Sequence, residues 1–185
     1  SVLETVIRDC AAAAEHWNIV MLPGVELTHL PPAAIDGAAK RARELGARVV
    51  VVHGETIVEP VPPGTNLAAL GSPYVDLLAH PGLLTREQAK LAAQRGVFLE
   101  LTSRRGHSLT NGHVARLALQ EGANLVLSSD AHSPDALFLA EQARKIVEGA
   151  GLAAGQVDQV LISAPRAFLQ KVARGEDLYK VGRKP

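Results

Sequence analysis

The feature that most constrains this chain is a rhythm. Five short apolar runs, at residues 19–27, 48–53, 75–80, 97–101 and 125–129, alternate with longer amphipathic stretches. Their cores, such as VVVV, DLLA, FLEL and LVLSS, are continuous rather than alternating. A strand with one wet face alternates apolar and polar residues, whereas a continuous run describes a strand covered on both faces. The stretches between them read as helices at 2–16, 32–45, 85–95, 111–121, 133–148 and 165–172. Their ends are punctuated: Pro32 stands in a first turn, Thr85 has Gln88 three residues on as a capping box, and Ser133 precedes Pro134. Gly46, Gly96, Gly122 and Gly149 mark stops. Strand–helix–strand order repeated in this way predicts βαβ units, a parallel sheet and right-handed crossovers. The expected class is α/β, as an open doubly wound sheet or most of a (β/α) barrel. The proline-rich segment 58–71 is read as a loop. Residues 1–173 are read as one domain and 174–185 as a charged C-terminal tail.

Composition narrows the function classes. A chain of 185 residues is long enough for one domain with a real core. Its aromatics are three Phe, two Tyr and one Trp, so that core must be built mainly of Ala, Leu and Val. Nineteen Lys and Arg balance nineteen Asp and Glu, which argues against a nucleic-acid or membrane-surface binder held by charge. The single cysteine, Cys10, has no internal partner and fits a reducing, cytoplasmic compartment. No apolar run is long enough for a membrane span, and the first residues lack the basic-then-apolar shape of a signal peptide.

The polar residues at the strand ends carry the chemistry. The first run closes with Glu26, the second with His53, then Gly54 and Glu55, and the third with His80. The fourth contains Glu100, and the fifth leads into Asp130 and His132. In parallel α/β folds the C-terminal strand ends face the active site, so these side chains are expected on one rim. Imidazoles mixed with carboxylates suit zinc, iron or manganese. Clustered metals of this kind suit phosphoester hydrolysis by a metal-activated hydroxide. His29 lies on the same rim. Arg104, Arg105 and His107 occupy the loop after the fourth run, where the arginines could hold a phosphate. Glu55 is read either as support for the ligands or as surface, and His16, His113 and Cys10 as structural. No phosphate-loop, dinucleotide or nucleophile-elbow fingerprint is present, nor any paired C-x-x-C.

The motifs PGVELTH, VVHGE, LLAHPG, FLELTSRRGH and SSDAHS, in this order, resemble the later motifs of the PHP (polymerase and histidinol phosphatase) superfamily. Stand-alone histidinol-phosphate-phosphatase-like proteins of bacteria are the nearest likeness. The resemblance covers about residues 1 to 170 and implies a distorted seven-stranded, TIM-like (β/α) barrel with up to three metals. It implies Glu26, His53 and His80 at one metal, Asp130 at a second and His132 at a third, with Glu100 carried over less firmly. The family's opening H-x-H strand and the strand after it have no counterpart here, so about five strands and a single metal are expected. Truncation is the favoured reading, beside strands supplied by another chain or natural loss. The implied activity is that of a metal-dependent phosphatase acting on a small phosphate monoester, with histidinol phosphate and histidine biosynthesis the leading guess. In that reading Asp130 and His132 act in catalysis, and Arg104, Arg105, His107 and His29 contact substrate. The rivals are a non-catalytic binding or scaffold module on a degenerate barrel and a PHP-type nuclease. The open strand edges make a homo-oligomer plausible.

Overall fold

A computed structural model describes residues 2–17 and 19–173; the expected tail, 174–185, lies outside the described residues. The five apolar runs become five parallel strands: β1 (Gly24–Leu27), β2 (Val49–His53), β3 (Leu77–Ala79), β4 (Phe98–Thr102) and β5 (Leu125–Ser128). They lie side by side in chain order. Among the described residues no pairing joins β1 to β5. The central β3 and β4 are buried along their whole length, while the outer β1 and β5 are only partly covered. For the two central strands the continuous runs thus have the cause expected for them, burial on both faces.

The helices are α1 (Val2–Trp17), α2 (Pro32–Glu44), α3 (Thr65–Gly71), α4 (Arg86–Arg95), α5 (Asn111–Glu121), α6 (Ala140–Gly149), α7 (Ala154–Asp158) and α8 (Ala164–Ala173). A π-helical turn, Gln159–Ser163, joins the last two. The capping box at Thr85 is formed: the Gln88 N–H donates to Thr85 Oγ1 at 3.2 Å and the Thr85 N–H to Gln88 Oε1 at 2.8 Å. Gly96 then ends α4 in the left-handed conformation.

Three expectations need correction. The 58–71 segment is not all loop, because its second half is α3. Gly64, at that helix's N-cap, has no side chain to offer, so the cap is distant: Glu55 Oε1 accepts from the Gly64 N–H at 3.1 Å and the Asn66 N–H at 2.8 Å. The 133–148 stretch is not one helix. Ser133 and Pro134 start only a short 3₁₀ turn (Pro134–Ala136), and Leu137 and Leu139 are extended before α6 begins. The first strand is also shorter than 19–27, starting at Gly24.

The two faces of the sheet differ. Val50, Val52, Leu78, Leu99, Leu101 and Leu125 point into the main core, which α2, α3, α4 and α5 pave with Ile35, Ala39, Leu70, Ala89, Val114 and Ala118. Small residues on these helices let them approach closely, which is how a chain poor in aromatics fills its interior. Val51, Leu77, Phe98 and Val126 point the other way, into a small cluster closed by Ala164 and Phe168 of α8. Side chains alternate along a strand. On this second face Glu26 is therefore level with Val51, His53 follows Val51, Glu100 follows Phe98, and Ser128 follows Val126. The face is apolar toward the strand starts and polar toward the strand ends.

Candidate metal centre

Two loops bring the histidines of β2 and β3 together. Gly54 follows His53, and its N–H donates to Ala79 O at 2.9 Å. A Cβ there would stand 2.4 Å from that oxygen. Gly82, at φ 65°, lies so close that a Cβ would sit 1.9 Å from Glu55 O. The backbones therefore cross directly, and the His53 and His80 rings meet edge to face at 4.3 Å. His80, His29 and Asp130 are the positive-φ residues other than glycine among the described residues, at 29°, 58° and 47°. Each such conformation costs about 1–3 kcal/mol, and strain of this kind gathers at functional sites.

The third imidazole is His107, which opens a 3₁₀ turn (His107–Thr110) and stands 4.3 Å from the His80 ring and 5.8 Å from that of His53. All three are buried, and they offer ring nitrogens within 4.8 Å of one another. Each is held through Nδ1. His53 Nδ1 bonds to Gly54 O at 3.0 Å, His107 Nδ1 to Thr56 Oγ1 at 3.0 Å, and His80 Nδ1 to Glu100 Oε2 at 2.9 Å. Glu100 Oε2 also accepts the His80 backbone N–H at 2.7 Å, while its Oε1 takes a hydrogen bond from Ser128. Imidazoles fixed at one nitrogen by a carbonyl or carboxylate, as His53 and His80 are, with the other nitrogen turned to the centre, are arranged as metal ligands usually are.

The free nitrogens face carboxylates. His80 Nε2 lies 3.8 Å from Glu26 Oε1. It is the one buried side-chain nitrogen or oxygen without a hydrogen-bond partner among the described residues. Leaving such an atom unsatisfied is unfavourable, and a cation coordinated there would remove that cost. The donor set therefore fits a divalent metal, with three imidazoles and at least one carboxylate. Burial lowers the pKa of His53 and of His107, and His80 lowers both further. Both shifts favour the neutral ring, the form with a lone pair to give. For His80, burial opposes the charged form, but the hydrogen bond and charge of Glu100, aided by Glu26 and Asp130, raise its pKa. Burial raises the pKa of Glu26, opposed by His80 and reinforced by Asp130 and Glu100.

The other expected residues form a neighbouring group. Arg104 Nε lies 3.3 Å from Asp130 Oδ2, its Nη1 donates to Asp130 O at 3.2 Å, and it also touches His132. His132 Nδ1 is 3.6 Å from Asp130 Oδ1, and its side chain is 68% exposed. Arg104, Arg105, Asp130 and His132 line an open cleft of about 700 Å³ with Lys145 and Ser103. Asp130 and His132 do not enter the histidine trio, although the charge of Asp130 reaches Glu26, His80 and His107. His29 stacks on His53 at 6.1 Å. His113 Nε2 bonds to Leu84 O, and His16 packs edge-on against Trp17.

No protein-family model matches the chain. It is 44% identical over 159 residues to the uncharacterized protein MJ1295 of Methanocaldococcus jannaschii, a match spanning 85% of this chain and 73% of that protein. The chain belongs to the family of that archaeal protein. It is also 29% identical over 174 residues to ribonuclease P protein component 3 of Methanosarcina mazei, covering 86% of this chain and 70% of that one. A probable phosphatase of Clostridium novyi is 32% identical over 136 residues, 63% of this chain and 54% of its own length. The distant relatives support placement in a PHP-like superfamily.

Sequence reasoning placed His107 at the substrate rather than among the histidines, and it passed over Thr56 and Glu59. Glu59 Oε2 lies 3.7 Å from both His53 Nε2 and His107 Nε2. Nothing periodic marks it: Glu59 stands in the irregular EPVPP run, and only the folded loop brings it to the rim.

Proposed function

We propose that this protein is a metal-dependent phosphoesterase that hydrolyses a small phosphate monoester, histidinol phosphate being the leading candidate. The observation that carries the reading is the buried trio of His53, His80 and His107, each tethered at Nδ1, with the His80 Nε2 left over and Glu26 beside it. The relatives named probable phosphatase support it, at modest identity and over about half their length. In this reading the fold continues the five-stranded sheet toward a PHP-type barrel.

Glu26, His53, His80 and His107 would hold a zinc, manganese or iron ion. Such an ion supplies Lewis-acid chemistry at phosphorus and a lowered pKa for water. Glu100 keeps the His80 lone pair aimed at the centre. The Arg104 guanidinium, with Arg105 in the adjoining cleft, offsets charge on the phosphoryl oxygens. In this reading Asp130 and His132 pass a proton to the leaving oxygen, and His29, stacked on His53, contacts the substrate.

The test joins metal content after dialysis in metal-free buffer with hydrolysis of histidinol phosphate and p-nitrophenyl phosphate. Near-stoichiometric metal, lost in a His53→Ala/His80→Ala variant together with activity, is expected. Metal far below one per chain after reloading with zinc, manganese and iron would overturn the reading.

A second reading is a binding module on the same fold. The likeness to ribonuclease P protein component 3 favours it. Tight RNA binding that weakens steeply with salt, without phosphatase activity, would move it ahead.

A further inference from the structure

The loop between β2 and α3, residues 54–64, is fixed at both ends and in its middle. Glu55 caps α3 as described, and Asn66 ties the loop back by accepting the Glu55 N–H at 2.9 Å while donating to Pro81 O at 2.8 Å. Thr56 is buried and bonds His107. Val58 rests on Gly106, where a Cβ would stand 3.3 Å from Val58 Cγ2. Pro60 restricts the backbone of the residue before it to extended conformations. Between these anchors the Glu59 carboxylate lands 3.7 Å from two imidazole nitrogens at once.

That placement needs a reason. The separations are too long for hydrogen bonds. The Gly54 carbonyl can only accept, so a proton sits on His53 Nδ1 and Nε2 is the ring nitrogen turned toward Glu59. An imidazole Nε2 and a carboxylate oxygen are both metal-ligand atoms, and a cation between them would bind both. Two donors each about 2.0–2.2 Å from one ion lie roughly 3–4 Å apart, which is the separation found here.

Resting on the metal-centre reading above, we infer that Glu59 is itself a metal ligand. It is delivered from the β2–α3 loop rather than from a strand end, and with His53 and His107 it forms a two-histidine, one-carboxylate face for a divalent cation. Glu26 and His80 then approach the same centre from the sheet. Because the Glu59 side chain is 44% exposed, this ligand sits on the solvent side, and retention of the ion depends on the order of the loop.

The test is a titration of metal-stripped protein with Co²⁺, read by its visible absorption and by competition with a chromophoric chelator, on the wild type, Glu59→Gln and Glu59→Asp. Far-UV circular dichroism checks that each is folded. In the Gln variant the Co²⁺ dissociation constant is expected to rise at least ~10-fold, with a changed spectrum. The Asp variant, which restores the charge, is expected to regain part of the affinity. A folded Gln variant with wild-type affinity and spectrum would overturn the assignment of Glu59 and leave the histidine centre standing. A wild type that takes up neither Co²⁺ nor Zn²⁺ would overturn both.

Discussion

Glu100 grips His80 twice with the same oxygen: Oε2 accepts the backbone N–H at 2.7 Å and the ring Nδ1–H at 2.9 Å. One carboxylate therefore fixes both the strained backbone of His80, at φ 29°, and the direction of its ring. Replacing Glu100 by Ala leaves two buried donors unpaired, at about 1–3 kcal/mol each. Urea denaturation should show a loss of about 2–6 kcal/mol. Glu100→Gln should keep more of the stability but still lower metal affinity ~10- to 100-fold, as removal of a supporting carboxylate typically does. Chelator competition on the folded variant reads that second effect.

Two glycines with nearly the same backbone separate conformational strain from crowding. Gly96 has φ 64° and open space around its missing Cβ, while Gly82 has φ 65° and the Glu55 carbonyl in the way. Gly96→Ala should cost about 1 kcal/mol. Gly82→Ala adds an overlap that only a shift of the crossing loops can relieve, so a cost of about 2–5 kcal/mol is expected. Since those loops set the distance from His53 to His80, metal affinity should fall with Gly82→Ala and not with Gly96→Ala. Thermal melts and metal titrations of the two variants check the contrast.

How much of this was legible in the sequence follows from how local each cause is. Burial on both faces leaves continuous apolar runs, so VVVV and FLEL could be read as strands. Strand alternation and the shared direction of a parallel sheet then place Glu26, His53 and Glu100 on one rim without further information. The capping box at Thr85 is equally local. The helix α3 was hidden because its cap is Glu55, nine residues before Gly64, acting through a folded loop. The break at Leu137–Leu139 was hidden because Ser133-Pro134 is a sound start signal that serves only one 3₁₀ turn. His107 and Glu59 meet only after separate loops close over the sheet, which spacing along the chain does not encode.

The opposite end of the sheet supplies a control for stability without chemistry. Arg43 and Asp76 form a buried pair, with Arg43 also bonded to Tyr74 O, Ala47 O and Arg48 O, and Asp76 accepting the Val50 N–H at 2.9 Å. Removing one partner strands a buried charge, at about 3–5 kcal/mol. Asp76→Ala should lower the urea midpoint by a corresponding amount. Metal affinity measured under conditions where the variant is still folded should be unchanged, because the pair touches none of the rim residues.

Metal removal should itself register as instability. An ion that binds only the folded chain adds RT ln(1 + [M]/Kd), about 2.7 kcal/mol at a hundredfold excess over Kd. A chelator should therefore lower the Tm of the wild type and have little effect on His53→Ala/His80→Ala. Equal melting of the wild type with and without chelator would count against the centre.

Arg104 is the residue whose loss should be felt in substrate binding more than in the fold. It is partly exposed, and its guanidinium spans Asp130 and His132 rather than closing a buried network. A hydrogen bond to a charged group is worth about 1.5–3 kcal/mol. If Arg104 meets the phosphate in the ground state, Arg104→Ala should raise KM roughly 10- to 150-fold with a smaller change in kcat. Lys restores the charge but not the planar fork, so Arg104→Lys should recover only part of the loss. An Arg104→Ala variant with unchanged KM and depressed kcat would instead place the guanidinium on charge that develops only as the bond to the leaving oxygen breaks. That would move Asp130, which it holds, into the same step.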